Sequence, residues 1–164
     1  MILAVDVSYR GDKAVAGGVV FENWADKESI KEIMVSIPQV KEYAPGRLYQ
    51  RELPCIQALL KELDTQMECI IVDGYVYLGS DGAPGLGAHL FRALQGIVTV
   101  IGVAKKPFKN TPKSAELLRG KSKRPLYVTA QGVDQAVAKQ YIANMHGNNR
   151  IPTLLKRVDQ LCKK

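Results

Sequence analysis

Apolar and polar positions alternate from the start of the chain, with Ile2, Ala4 and Val5 apolar around Asp6, and the pattern predicts a strand over residues 1–9. Arg10-Gly11-Asp12-Lys13 is a turn signal, and the apolar run from Ala14 to Phe21 predicts a second strand paired with the first as a hairpin. A third strand is expected from Glu32 to Ile37, ended by Pro38, with an irregular loop running to Gly46. Leu48, Leu53, Ile56, Leu59, Leu60 and Leu63 then recur at helical spacing, so a helix is expected from Leu48 to about Leu63, with Pro54 in its early turns, where proline is best tolerated. Cys69 to Val72 is a short, wholly apolar segment of the kind found in buried parallel strands. A glycine-rich loop from Gly74 to Gly87 leads into a helix through Leu90, Phe91 and Leu94. Further strands are expected at Ile97 to Val103 and Leu126 to Thr129, and helices at about Val133 to Met145 and after Pro152.

The order β-β-β-α-β-α-β-α gives three antiparallel strands followed by parallel ones with helical crossovers. This is the ribonuclease-H-like layout: an α/β fold with a mixed five-stranded sheet flanked by helices, the first strand central and beside the strand that follows the first helix. The 164 residues fit a single domain, 1–164, long enough to bury a full core. In that layout Asp6 and Asp73 lie side by side at the ends of adjacent central strands, and Glu52 sits in the first turns of the helix between them in sequence. An acid that interrupts an apolar strand is expensive to bury unless something binds it, and neighbouring carboxylates repel unless a cation lies between them. Three such acids suit a divalent-metal site for phosphodiester chemistry.

Charge adds a second observation. Between Lys105 and Arg124 the chain carries eight basic residues and one acid, Glu116, a segment charge of +7 that equals the net charge of the whole protein. A concentrated basic loop suits a polyanion such as nucleic acid, or is a solvated surface loop; charge alone does not separate the two. Cys55, Cys69 and Cys162 are too few and too far apart for a disulfide framework or a zinc knuckle and read as reduced, buried thiols. With no apolar run near the ~20 residues of a membrane helix and no signal-peptide pattern, a cytoplasmic, non-membrane protein is expected, and a monomer, since no long helical stripe is present.

Four segments, in order, carry a family resemblance. Val5-Asp6-Val7-Ser8-Tyr9, then Tyr43-Ala44-Pro45-Gly46-Arg47-Leu48 with Arg51-Glu52-Leu53-Pro54, then Val72-Asp73-Gly74, then Ile101-Gly102-Val103-Ala104-Lys105 are similar to the motifs of endonuclease V, the deoxyinosine-directed repair nuclease. Arg150-Ile151-Pro152 and Arg157-Val158-Asp159 resemble that family's C-terminal pattern. The resemblance implies that Asp6, Glu52 and Asp73 ligate Mg²⁺, with Mn²⁺ as a substitute, and that Lys105 points at the scissile phosphate or the attacking water. It also implies that Tyr43 and Pro45 form a wedge beside a flipped nucleotide, and that Gly46, Leu48 and Gly74 help form a base pocket. The expected activity is a metal-dependent cut near deaminated purine (inosine) in DNA, or in RNA.

The chain departs from the family in three places. Tyr75 to Pro84 replaces the family's histidines and arginine after Asp73-Gly74, and Glu42 replaces the first proline of the wedge. Gly132-Val133-Asp134 stands where the family has Gly-His-Arg, so Asp134 is either a fourth metal ligand or a helix N-terminal acid. Two other functions fit the same features. One is a catalytically inactive nucleic-acid-binding module. The other is a ribonuclease-H-like nuclease for branched DNA or structured RNA.

Overall fold

The structure is a computed structural model and describes residues 1–40, 42 and 47–164. Strands β1 (Ile2–Arg10), β2 (Lys13–Phe21) and β3 (Lys31–Ile37) form an antiparallel meander, followed by helix α1 (Leu48–Leu60) and strand β4 (Cys69–Asp73). A two-residue hairpin, β5 (Tyr77–Leu78) with β6 (Ala83–Pro84), stands inside the glycine-rich loop and leads into α2 (Leu86–Ala93). Then come β7 (Thr99–Ala104), the short β8 (Glu116–Leu117), β9 (Leu126–Gln131), α3 (Gln135–Ala143) and α4 (Thr153–Cys162).

The sheet order is β3-β2-β1-β4-β7-β9-β8. Its first five strands are the expected ribonuclease-H-like set, with β1 central, antiparallel to β2 and parallel to β4. The sheet has seven strands rather than five, because β9 and β8 extend it. The strand at Leu126, which the five-strand order left out, joins the sheet in the reverse direction: β9 is antiparallel to β7, Val100 facing Gln131 and Ala104 facing Tyr127. A parallel strand would need a crossover over a sheet face, usually by a helix. Residues 105–125 instead hold only one turn of 3₁₀ helix (Lys113–Ala115) and β8, so the chain doubles back along the edge.

Alternation along the central strands sends side chains into two cores. Leu3 and Val5 of β1 join Cys55, Ile56 and Leu59 of α1 and Leu90 of α2 on one face. Ile2 and Ala4 join Ile142 of α3 and Leu154, Val158 and Leu161 of α4 on the other. No helix among the described residues is long and apolar enough to cross a membrane.

Candidate active site

The same alternation fixes where the polar ends of the strands point. Ile2-Ala4-Asp6, Cys69-Ile71-Asp73 and Ile101-Val103-Lys105 are three period-2 series whose apolar members all lie in the α3/α4 core. Each series ends in a charge at the same end of the sheet. The ladder pairs Ala4 with Ile71 and Asp73 with Val103, so Asp6 continues in register beside Asp73, with Lys105 just beyond β7. Lys105 Nζ lies 3.5 Å from Asp73 Oδ2, with both side chains more than a third exposed, a loose and solvated pair.

Glu52 reaches this end of the sheet from α1, on the opposite face. Its neighbour Arg51 stacks its guanidinium 3.7 Å over the ring of Tyr9, tying the start of α1 to the end of β1. Burial, then the charges of Asp6 and Asp73, push the Glu52 carboxyl up to about 8. Burial, Asp73 and a hydrogen bond with Asp159 push Asp6 up to about 7, against the Val7 N–H, which donates to Asp6 Oδ1 at 2.9 Å. Asp159 lies on α4, whose Val158 and Leu161 anchor in the core, and it is held below the ordinary carboxylate range. Burial raises it, but the Lys163 ammonium at 2.9 Å and the hydrogen bond from Asp6 outweigh that. Asp6 thus carries the proton of the pair and Asp159 the charge.

Among the described residues, no three His, Cys, Asp or Glu donors already close on one point as metal ligands. The acids lie around one end of the sheet without converging on a single point. The donor set still fits Mg²⁺, since it is all oxygen, its members repel one another, and Mg²⁺ keeps several waters and needs few direct protein ligands. Asp159 is the acid that the strand and helix patterns alone do not reveal. The available signal is the Arg157-Val158-Asp159 segment, one turn after the buried Leu154.

Asp134 does not join them. It is the exposed N-cap of α3, three residues beyond Gln131, and Gln131 pairs with Val100 at the start of β7, while the acids gather at its end. The antiparallel course of β9 reverses the end at which residues 132–134 emerge, and Val133 packs against the α3/α4 core. Tyr43, Pro45 and Gly46 lie outside the described residues, and Leu48 is the first residue of α1.

After Asp73 the chain bends across β7, and two glycines permit it. Gly74 has φ +150°, and its N–H donates to Val103 O at 3.2 Å. A Cβ on Gly102 would lie 2.5 Å from Gly74 O and 2.9 Å from Val76 N, so no side chain fits beneath the crossing. The buried Val76 N–H donates to Thr129 Oγ1 at 2.8 Å. The bend opens a cavity of about 280 Å³ lined by Glu52, Asp73, Gly74, Tyr75, Tyr49 and Phe108, among others. His89, in the helix that closes this region, stacks on Tyr49 with ring centroids 3.6 Å apart.

The basic segment is not uniformly a surface. Arg119 is buried, 5% exposed, and donates to the carbonyls of Met145, Gly147 and Asn149 at 2.7, 3.0 and 2.6 Å. Its charge secures the 145–150 loop and faces no solvent. Lys106, Lys109, Lys113, Lys121, Lys123 and Arg124 are exposed. Arg150 donates to the carbonyls of Lys105, Arg124 and Pro125, joining the end of β7 to the start of β9.

Comparison with known proteins identifies related chains. A family model described as Endonuclease V matches residues 1–145. Endonuclease V of Streptomyces coelicolor is 29% identical, over 99% of this chain and 77% of that protein. Endonuclease V of Pyrococcus horikoshii is 31% identical, over 99% of this chain and 72% of that protein. The crystal structure of endonuclease V from Streptomyces avermitilis superposes with a TM-score of 0.76 at 29% identity, covering 99% of this chain and 79% of that one. The fold is shared with Ciona intestinalis endonuclease V, solved with a 24mer DNA containing an inosine followed by a ribo-adenosine (TM-score 0.82, 19% identity, 99% and 84% covered).

Proposed function

The chain belongs to the endonuclease V family and is by that membership a nuclease, and we propose that it hydrolyses one phosphodiester near a deaminated purine, inosine, in DNA or RNA, with Mg²⁺ as cofactor. The observation that carries the reading is the gathering of Asp6, Glu52, Asp73 and Asp159 at one end of the sheet, with Asp6 raised by burial and Asp73, and Glu52 by burial, Asp6 and Asp73. A fold that only bound nucleic acid would gain nothing from acids that repel phosphate.

In this proposal Asp6, Glu52, Asp73 and Asp159 hold Mg²⁺ or Mn²⁺. Bound there, the cation would supply Lewis-acid chemistry, making water a nucleophile at neutral pH and neutralising charge on the leaving 3′-oxygen. Lys105 brings a point charge to the phosphate, where negative charge grows in the transition state. Asp73 holds the Lys105 ammonium until substrate arrives. Arg150, bonded to the Lys105 carbonyl, keeps the lysine backbone in place. The products are 3′-hydroxyl and 5′-phosphate ends.

The cavity beside Glu52 and Asp73 is the place for the extruded base, and the exposed lysines after β7 suit the strand. Extrusion is least costly at a mispaired or damaged base, which favours a lesion over intact duplex. The three cysteines are buried free thiols, in keeping with work in the reducing cytoplasm. The test is cleavage of end-labelled duplexes carrying one deoxyinosine, against undamaged duplex, in Mg²⁺, Mn²⁺ and EDTA, with Asp73→Ala alongside. One lesion-dependent nick, lost in EDTA and in the variant, is expected. Cutting that ignores inosine would overturn the substrate assignment, and binding without any metal-dependent cut would overturn the enzymatic one.

A further inference from the structure

Phe108 is the only aromatic among the large apolar side chains that the described residues leave exposed, at 44%, and it stands within the lysine-rich segment after β7. Its backbone is held unusually firmly for an exposed loop. The Phe108 N–H is shared between Tyr75 Oη at 3.1 Å and Thr111 Oγ1 at 2.9 Å, and Thr111 Oγ1 donates back to Phe108 O at 2.6 Å. The Tyr75 hydroxyl in turn donates to Lys106 O at 2.6 Å. Tyr75 itself is buried, and its ring centroid lies 6.3 Å from that of Phe108 at a tilt of 58°. The tyrosine that follows Asp73-Gly74 is therefore the post on which the 106–111 turn is built.

An exposed aromatic whose backbone is already held has less conformational freedom left to lose when a ligand arrives. Phe108 lines the cavity that also contains Glu52 and Asp73, and Lys105, Lys106 and Lys109 flank it. An aromatic face among cations, next to acids that act on phosphodiesters, matches a nucleobase with its phosphates. We propose that Phe108 is a stacking platform for an unstacked nucleobase of the substrate strand, set in place by the Tyr75 hydroxyl. The proposal rests on the nuclease reading above and specifies its substrate further: a strand whose base is already free of its neighbours, in single-stranded or distorted nucleic acid. Stacking accepts any base, so Phe108 adds affinity, and discrimination between bases falls to other groups.

The test is binding of the full chain, in EDTA so that nothing is cut, to labelled inosine-containing single strands read by fluorescence anisotropy. One abasic residue is moved through the strand, and wild type is compared with Phe108→Leu, Phe108→Trp and Tyr75→Phe. Loss of base stacking predicts an affinity about 5- to 150-fold weaker for Phe108→Leu. The same factor should appear in wild type when the abasic residue falls over the ring, and Phe108→Leu should lose nothing further on that strand. Phe108→Trp should restore binding, and Tyr75→Phe should reproduce part of the loss with an unchanged melting temperature. Equal binding by wild type and Phe108→Leu on every strand overturns the platform, as does a Phe108→Leu deficit that persists on every abasic strand. A wild type that cuts inosine strands while Phe108→Leu binds normally overturns the platform alone. Abasic-dependent loss in an enzyme that cuts none of these strands overturns the nuclease reading and leaves the platform standing.

Discussion

Replacing Asp6 by Asn should abolish cleavage and, in the absence of metal, make the protein more stable above neutral pH. In the folded state the Asp6 carboxyl is raised from 3.8 to about 7 by burial, by Asp73 and by its hydrogen bond with Asp159. A raised acid is favoured in its protonated form by folding. Its penalty is therefore absent below pH 4, grows between pH 4 and 7 as the unfolded chain ionises and the folded one does not, and is fully present above pH 7. The full shift corresponds to about 4 kcal/mol at 1.36 kcal/mol per pH unit. Because Asp159, Glu52 and Asp73 readjust when one charge is removed, about 2 kcal/mol is the expectation for the single substitution. Asn keeps a donor for Asp159 and cannot ionise. In a chain of this size, 2 kcal/mol is about 4–8 °C in melting temperature. The assay is thermal unfolding of wild type and Asp6→Asn in EDTA from pH 4 to 8, repeated with Mg²⁺. The variant should match wild type at pH 4, exceed it increasingly up to about pH 7 and keep that margin at pH 8, and Mg²⁺ should raise the wild-type midpoint at pH 8 far more than at pH 5. A difference that does not grow with pH, or a variant less stable than wild type at pH 8, would refute the reasoning.

Other outcomes follow from the same geometry. Asp159→Asn should lower cleavage or metal affinity about ten- to a hundredfold, as loss of a metal-site group does, whereas Asp134→Asn should cut normally; titrating Mg²⁺ into both variants checks this. Arg119→Ala should cost about 3 kcal/mol by orphaning buried carbonyls, read by urea unfolding. Neutralising exposed Lys109 or Lys121 should leave stability alone and reduce the salt slope of nucleic-acid binding by about 0.7–0.9 each, depending on strand form. Gly102→Ala, whose Cβ would lie 2.5 Å from Gly74 O, should force the crossing after Asp73 to move and lower activity more than it lowers the melting temperature.

What could be read from the sequence follows from the range of the signal. Strand parity is local: Ile2-Ala4-Asp6 and Cys69-Ile71-Asp73 state in five residues which face carries the charge, and the register of β1 with β4 brings the two acids together as the element order implied. Asp134 fails for the converse reason. Its position depended on the direction of a six-residue strand, Leu126–Gln131, and nothing in Leu-Tyr-Val-Thr-Ala-Gln distinguishes parallel from antiparallel; only the missing helix in residues 105–125 bears on it. Arg119 was indistinguishable in sequence from its basic neighbours, because burial of a guanidinium is decided by the carbonyls of a loop some thirty residues away. Asp159 lay within a recognisable segment, yet its role depends on α4 lying against the sheet so that one of its acids meets Asp6. Acids that burial and mutual repulsion raise toward neutrality are a cost to the apo fold. The cores on both sheet faces and the carbonyl bonds of Arg119 and Arg150 make that cost bearable, so the stability of this chain should depend on metal most where its acids are most ionised.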